Sequence, residues 1–352
     1  MFSSSGHLSK MHTLCLNRCA SLANLPYKLA DLRNLRKLQI MGCNKLASNL
    51  HFIFDGSRAL EAVEVDDCSG LFELPDNIYL LASLRKLHLS STNVKTLPVS
   101  IKHLLRLQRL ELDDCKRLRS LPELPPSIRW LIASDCRSLK TVHLTSTIDD
   151  HQVEEGDEDA FICFNFTNCM KLDRDSIKSI EAKVLLEMNK ATPIPNVSLA
   201  YPGNKLPEWF MYRTKQSSIV LDLSSIPQPW DGSFIFCAIV SKSLHFDEIK
   251  ADCYIDRLHI GHATFSYTDE LHGSFSYTAE LFSDHVIFWK GSVETTIGER
   301  KTDTQSRTCH PLLEIKFRLI FDGEEYEDKS MEVKEYGFAQ CQHLNVKTIF
   351  NK

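Results

Sequence analysis

Apolar positions in the first part of the chain follow a phrase that fits neither a helix nor an ordinary strand. In "LRNLRKLQIMGC" they stand at Leu32, Leu35, Leu38 and Ile40, and Cys43 closes the phrase. The gaps of three suit a helical face and the final gap of two suits a strand. The phrase returns as "MHTLCLNRC", "LEAVEVDDC", "LRKLHLSST", "LQRLELDDC" and "IRWLIASDC", which close at Cys19, Cys68, Thr92, Cys115 and Cys136. Six copies in register at steps of 21–25 residues describe a leucine-rich-repeat solenoid, an α/β architecture with a parallel sheet. Each copy is expected to lay down a short strand, turn, and return along the outer side of an arc.

The returning segments carry their own pattern, "LPYKLADLRNL", "LPDNIYLLASL" and "LPVSIKHLLRL", in which Pro26, Pro75 and Pro98 open an irregular turn. "NKLASNLHFIFDGSRAL" lacks that opening and predicts a looser outer face or a bulge. "KRLRSLPELPPSIRW" is short and proline-rich, which predicts an extended convex side. Alternation along the strands turns Leu38 and Ile40 inward and leaves Lys37, Gln39 and Met41 on the concave face. By the same rule the candidate protein-binding residues are Lys37, Gln39, Glu64, Asp66, Lys86, His88, Arg109, Glu111, Asp113, Trp130 and Ser134, with Thr13 and Asn17 beside them. Trp130 and Arg109 are the preferred anchors, because Trp and Arg dominate interface hot spots.

Past the repeats the period changes. Residues 149–160 form an acidic linker around "DDHQVEEGDED". "FICFNFTNC" repeats the phrase with aromatic residues, and residues 173–191 read as a helix with Asp173 and Asp175 at its start. "SSIVLDLSS", "SFIFCAIVSKS", "HVIFWKG" and "LLEIKFRLIF" then read as strands of an all-β sandwich. "TFSYTDEL" and "SFSYTAEL" are a local duplication. The expected organisation is a solenoid at 1–148, the linker at 149–160, and a β domain at 161–352.

Charge divides at the same place. Residues 1–148 hold 20 basic and 13 acidic side chains, a net +7, and the remainder carries −12. The basic residues are interspersed with acids, which argues against a nucleic-acid partner. No run of apolar residues is long enough for a transmembrane helix, so no membrane insertion is expected. Twelve cysteines in a chain of 352 residues suit a reduced, intracellular protein better than a disulfide framework. The repeat cysteines read as small buried spacers. There is no C-x2-C pair for zinc, and His259 and His262, three apart in "LHIGH", would face opposite sides of a strand. Those two, His272 and His285 read as surface or loop histidines, so neither metal nor cofactor is expected. Trp209 and Phe210 read as a core anchor beside a turn.

At "YPGNKLPEWFMYRTKQSSIVLDL", 201–223, the chain resembles a known family. The segment is similar to the signature of the jelly-roll/Ig-like domain that follows the repeats in plant intracellular immune receptors of the Toll/interleukin-1-receptor-type nucleotide-binding leucine-rich-repeat class. "FNFTNCMKLDRDS", "FCAIVS", "LFSDHVIFW" and "VKEYGFAQCQHL" support it in order and spacing. The resemblance implies a jelly-roll fold at 161–352 and recognition of a pathogen effector or a guarded host protein by the repeats together with jelly-roll loops. It implies a cytoplasmic location, with the nucleus a second one. No G-x4-G-K-[ST] phosphate loop occurs, so the NAD-cleaving and nucleotide-switching activities of such receptors are not expected here, and the chain reads as no enzyme. The first repeat follows Met1 with no capping segment. Three readings therefore stay open: a piece of a longer receptor, a partial gene model, and a truncated protein acting as scaffold or decoy, with the missing domains or a full-length receptor as further candidate partners.

Overall fold

The computed structural model of the 352-residue chain describes residues 10–46, 50–144, 161–188, 196–226, 233–242, 248–266, 281–292, 312–321, 324–326 and 333–340. The linker at 149–160, the duplicated stretch from 267 onward and His272 lie outside the described residues. The chain divides into two compact units, one within Met1–Asp157 and Cys163–Lys183, the other within Glu158–Ile162 and Val184–Lys352. Among the described residues no helix is long and apolar enough to cross a membrane.

In the first unit β1 (Thr13–Asn17), β2 (Lys37–Met41), β3 (Ala62–Asp66), β4 (Lys86–His88), β5 (Arg109–Glu111), β7 (Trp130–Ile132) and β9 (Phe161–Asn165) pair in parallel, each with the next repeat's strand. Strands β2 and β3 alternate between half-buried and buried positions, so each inward residue is lost to solvent completely. Leu35, Leu38, Ile40 and Cys43 are buried, as are their counterparts Leu60, Val63, Val65 and Cys68 in the next repeat. No single repeat encloses these side chains; stacking does.

The prolines act as expected. Pro26, Pro75 and Pro98 each hold an extended φ near −65° and precede a 3-10 turn at Tyr27–Asp31, Asp76–Leu80 and Val99–His103. The segment without Leu-Pro is not a bulge. It forms α1 (His51–Gly56), a short helix that buries Ile53 and Phe54. Its final residue explains itself: a Cβ at Gly56 would stand 1.8 Å from the Ala30 carbonyl oxygen of the preceding repeat. The proline-rich step is extended, as predicted, and β6 (Ser120–Leu124) pairs in parallel with β8 (Thr141–Leu144). Helix α2 (Arg174–Met188) begins where Asp173 accepts a hydrogen bond from the Ser176 N–H at 2.8 Å, and Ile180, Val184 and Met188 are buried.

The second unit holds two antiparallel sheets. One runs β10 (Asn196–Pro202), β16 (His285–Ser292), β13 (Ser233–Val240), β19 (Val333–Gln340), β11 (Tyr212–Thr214). The other runs β12 (Ser218–Asp222), β17 (Leu312–Phe321), β14 (Glu248–Ile255), β15 (Leu258–Ser266), with β18 (Glu324–Tyr326) on β17. Their inner faces share one apolar core, including Phe234, Phe236 and Trp289 from the first and Ile249, Cys253, Ile315 and Phe317 from the second. Trp209 stacks on Phe210 at 4.0 Å, and both meet Phe288 edge-on, so this pair is a packing anchor. His285 is not on the surface: it is fully buried in β16, and burial holds its pKa down to about 4 against a hydrogen bond to the Ser283 carbonyl.

Candidate protein-binding face

The end of each repeat phrase sets the geometry of the face above it. The residue before every closing Cys or Thr has positive φ: Arg18, Gly42, Asp67, Ser91, Asp114, Asp135 and Asn168 lie between 47° and 63°. That turn points its N–H at the next repeat, where Ser91, Asp114 and Asp135 donate to the carbonyls of Asp113, Ser134 and Thr167 at 2.7–2.9 Å. The closing side chain bonds the other way. The thiols of Cys43, Cys68, Cys115, Cys136 and Cys169 donate to the carbonyls of Leu16, Ile40, Leu89, Leu112 and Ala133 in the preceding repeat. Burial pushes the Cys68 and Cys115 thiols up to about 11, which keeps them protonated as donors. These cysteines are spacers with a hydrogen bond.

On this frame the predicted residues fall into rows. Lys37, Ala62, Lys86, Arg109, Trp130 and Cys163 are in register across one row, and Gln39, Glu64, His88, Glu111, Ile132 and Asn165 across the next. Asp66 ends β3, and Asp113 and Ser134 follow β5 and β7. The candidate list missed Ala62, Ile132, Cys163 and Asn165, which complete the rows and which the repeat register could have supplied.

The charged members pair with one another. Glu64 lies between Lys37 at 3.1 Å and Lys86 at 3.3 Å, and Lys86 reaches Glu111 at 3.8 Å. Glu111 also meets Arg109 and His88, and His88 stands 3.9 Å from Asp66. The Arg109 guanidinium lies over the Trp130 ring at 4.4 Å. Glu111 is therefore not the exposed contact expected of it; at 5% exposure it is the buried hub that holds Arg109, Lys86 and His88 together. Burial opposes its charge, but the His88 hydrogen bond and the neighbouring Arg109 and Lys86 charges win and hold its pKa at about 2. Asp113 is the opposite case. Burial raises it to about 6, with Glu111's charge adding to the rise, although its carboxylate accepts from both the N–H and the hydroxyl of Ser134. The face thus presents lysines, a stacked Arg-Trp pair and Gln39 on a lattice of neutralised charge.

Comparison with known proteins bears on the whole chain. No family model matches it. Disease resistance-like protein DSC1 of Arabidopsis thaliana is 32% identical over 62% of the chain and 18% of its own length. TMV resistance protein N of Nicotiana glutinosa is 31% identical over 67% of the chain and 23% of its own length. Disease resistance protein RPS4B of Arabidopsis thaliana is 26% identical over 96% of the chain and 31% of its own length. The chain thus spans under a third of the length of these relatives. Among solved structures, a leucine-rich-repeat protein of Leptospira interrogans, LIC12759, is 25% identical over 40% of this chain and 35% of that one, with a TM-score of 0.34.

Proposed function

We propose that this chain, whose homologues are plant disease-resistance proteins of the Toll/interleukin-1-receptor-type nucleotide-binding leucine-rich-repeat class, is a non-catalytic recognition module of plant defence. Its partner is a protein, either a pathogen effector or a guarded host protein, met inside the cell on the concave face of the repeats. Loops of the second unit, read as a jelly roll, take part in the same recognition. The observation that carries this reading is the open row from Lys37 to Trp130. Its side chains are fixed by neighbours before any partner arrives, so little rotamer entropy remains to be lost on binding. A self-neutralised lattice also favours a partner that brings its own hydrogen-bonding and aromatic groups over one that brings a single sign of charge.

Proximity labelling in infected plant tissue tests the proposal. Whole chain is compared with Trp130→Ala and with Tyr79→Ala, whose ring is exposed on the 3-10 turn between repeats. Trp130→Ala should lose a discrete set of labelled proteins that Tyr79→Ala keeps. Identical labelling by all three chains would overturn the assignment of this face. A scaffold or decoy role predicts the same capture without downstream cell death, so the defence readout separates the two readings.

A further inference from the structure

The strand that carries "LHIGH" is not regular, and the irregularity creates a site. Strands β14 and β15 form a hairpin turned by Asp256 and Arg257, both at positive φ. Along it Cys253 faces Gly261, but the next pair is Tyr254 with His259, so Ile260 is an extra residue. Gly261 accommodates this bulge with φ of 149°, a value L side chains rarely adopt. Ile260 and Ala263 point into the core, and His259 and His262 both reach the solvent side. In an unbulged strand, residues three apart would take opposite faces, as the sequence suggests. The bulge reverses that.

Directly across from His262 on β14 is Asp252, a carboxylate buried to 3% exposure. Its Oδ1 stands 3.5 Å from His259 Nε2, and the two imidazoles lie nearly parallel with centroids 6.3 Å apart. One ligand atom from each of the three residues falls within 4.8 Å of the others. We propose that Asp252, His259 and His262 bind a divalent cation of the zinc type. Two imidazole nitrogens and one carboxylate oxygen suit that ion, with the fourth tetrahedral position open to water. The other charges around the site fix its strength. Arg318 Nε stands 3.2 Å from Asp252 Oδ2 as an ion pair on the far side of the carboxylate, which leaves Oδ1 for the metal. Lys250 Nζ stands 3.7 Å from Oδ1 and must swing toward solvent when the ion enters. Lys316 lies over the Tyr254 ring at 5.1 Å and is paired with Glu314 at 3.6 Å. Lys250 and Arg318 compete with an incoming ion for Asp252, which places this site below the affinity of a thiolate-rich structural centre. Once filled, it ties the edge strand β15 to β14 across the bulge.

The test uses the full chain, stripped with chelator and titrated with Co2+ as a spectroscopic stand-in, then with Zn2+ in a calorimeter. About one equivalent of Co2+ should bind with visible d–d bands of a nitrogen and oxygen site and no sulfur-to-metal charge-transfer band. His259→Ala and His262→Ala, both at exposed positions where folding is spared, should each weaken binding at least roughly tenfold. His103→Ala, elsewhere on the surface, should change nothing. Binding unchanged in the His259→Ala/His262→Ala double variant overturns the proposal, as does a thiolate band or no uptake at high micromolar metal.

Discussion

Glu111 and Asp113 are two residues apart and should titrate with opposite consequences for stability. Glu111 is held at about 2, below its ordinary 4.5, so its contribution is complete above pH 4.5 and disappears as the pH falls from there toward 2. Asp113 is raised to about 6, so its contribution is complete below its ordinary 3.8 and is lost as the pH rises through 6. Glu111→Gln should therefore lower stability by about 1–3 kcal/mol at pH 7, because Arg109 and Lys86 lose their buried counter-charge, and the deficit should close as the pH falls toward 2. Asp113→Asn keeps an acceptor for Ser134 and removes a disfavoured charge, so it should gain on wild type at pH 7.5 relative to pH 5. Denaturant melts of the three chains at those pH values decide it; parallel pH profiles would show that the hub does not exist. None of this was visible in the sequence. Alternation placed both acids on the open face, but burial of one of them depends on which long side chains fold over it.

Each repeat ends in a left-handed turn, and that is where backbone energy is concentrated. A β-branched residue there carries a steric cost that Gly escapes, while Asp and Asn tolerate it. Asp114, at φ 56°, makes an exposed ion pair with Lys116 worth little. Asp114→Gly should change stability by about −0.5 to +1 kcal/mol, whereas Asp114→Val should cost about 1–2 kcal/mol. Equal melting of the two variants would remove the turn from the account. The repeats themselves were legible, because six in-register copies of one spacing leave no alternative architecture. The turn was hidden because its residue identity varies, from Arg18 and Gly42 to Ser91 and Asn168; only φ is shared. The same limit hid the bulge at Gly261 and the helix α1, where short-range packing overrode the expectation of a regular strand and of a looser outer face or bulge. The β14–β15 hairpin escaped notice because Lys250, Asp252 and the histidines interrupt its apolar alternation.

At the scale of the molecule, a net charge of +7 over residues 1–148 coexists with an open sheet face whose charges are already paired. The excess basic charge must then reside away from those rows, on side chains such as Arg33, Arg58 and Arg106, which are exposed or half-exposed between strands. This separates two ways of catching a partner. Attraction by the excess charge acts at long range and is screened by salt, while docking onto the Arg109–Trp130 stack and the fixed lysines acts on contact. If the open face carries recognition, capture of a labelled partner should fall only a few-fold between roughly 0.05 and 0.5 M salt, over which the Debye length shrinks to about 4 Å. In the same assay Trp130→Ala should cost about 2 kcal/mol, or some thirty-fold, at every salt concentration. Steep loss with salt and indifference to Trp130→Ala would move the binding surface to the basic exterior, and with it the reading of what the paired lattice is for.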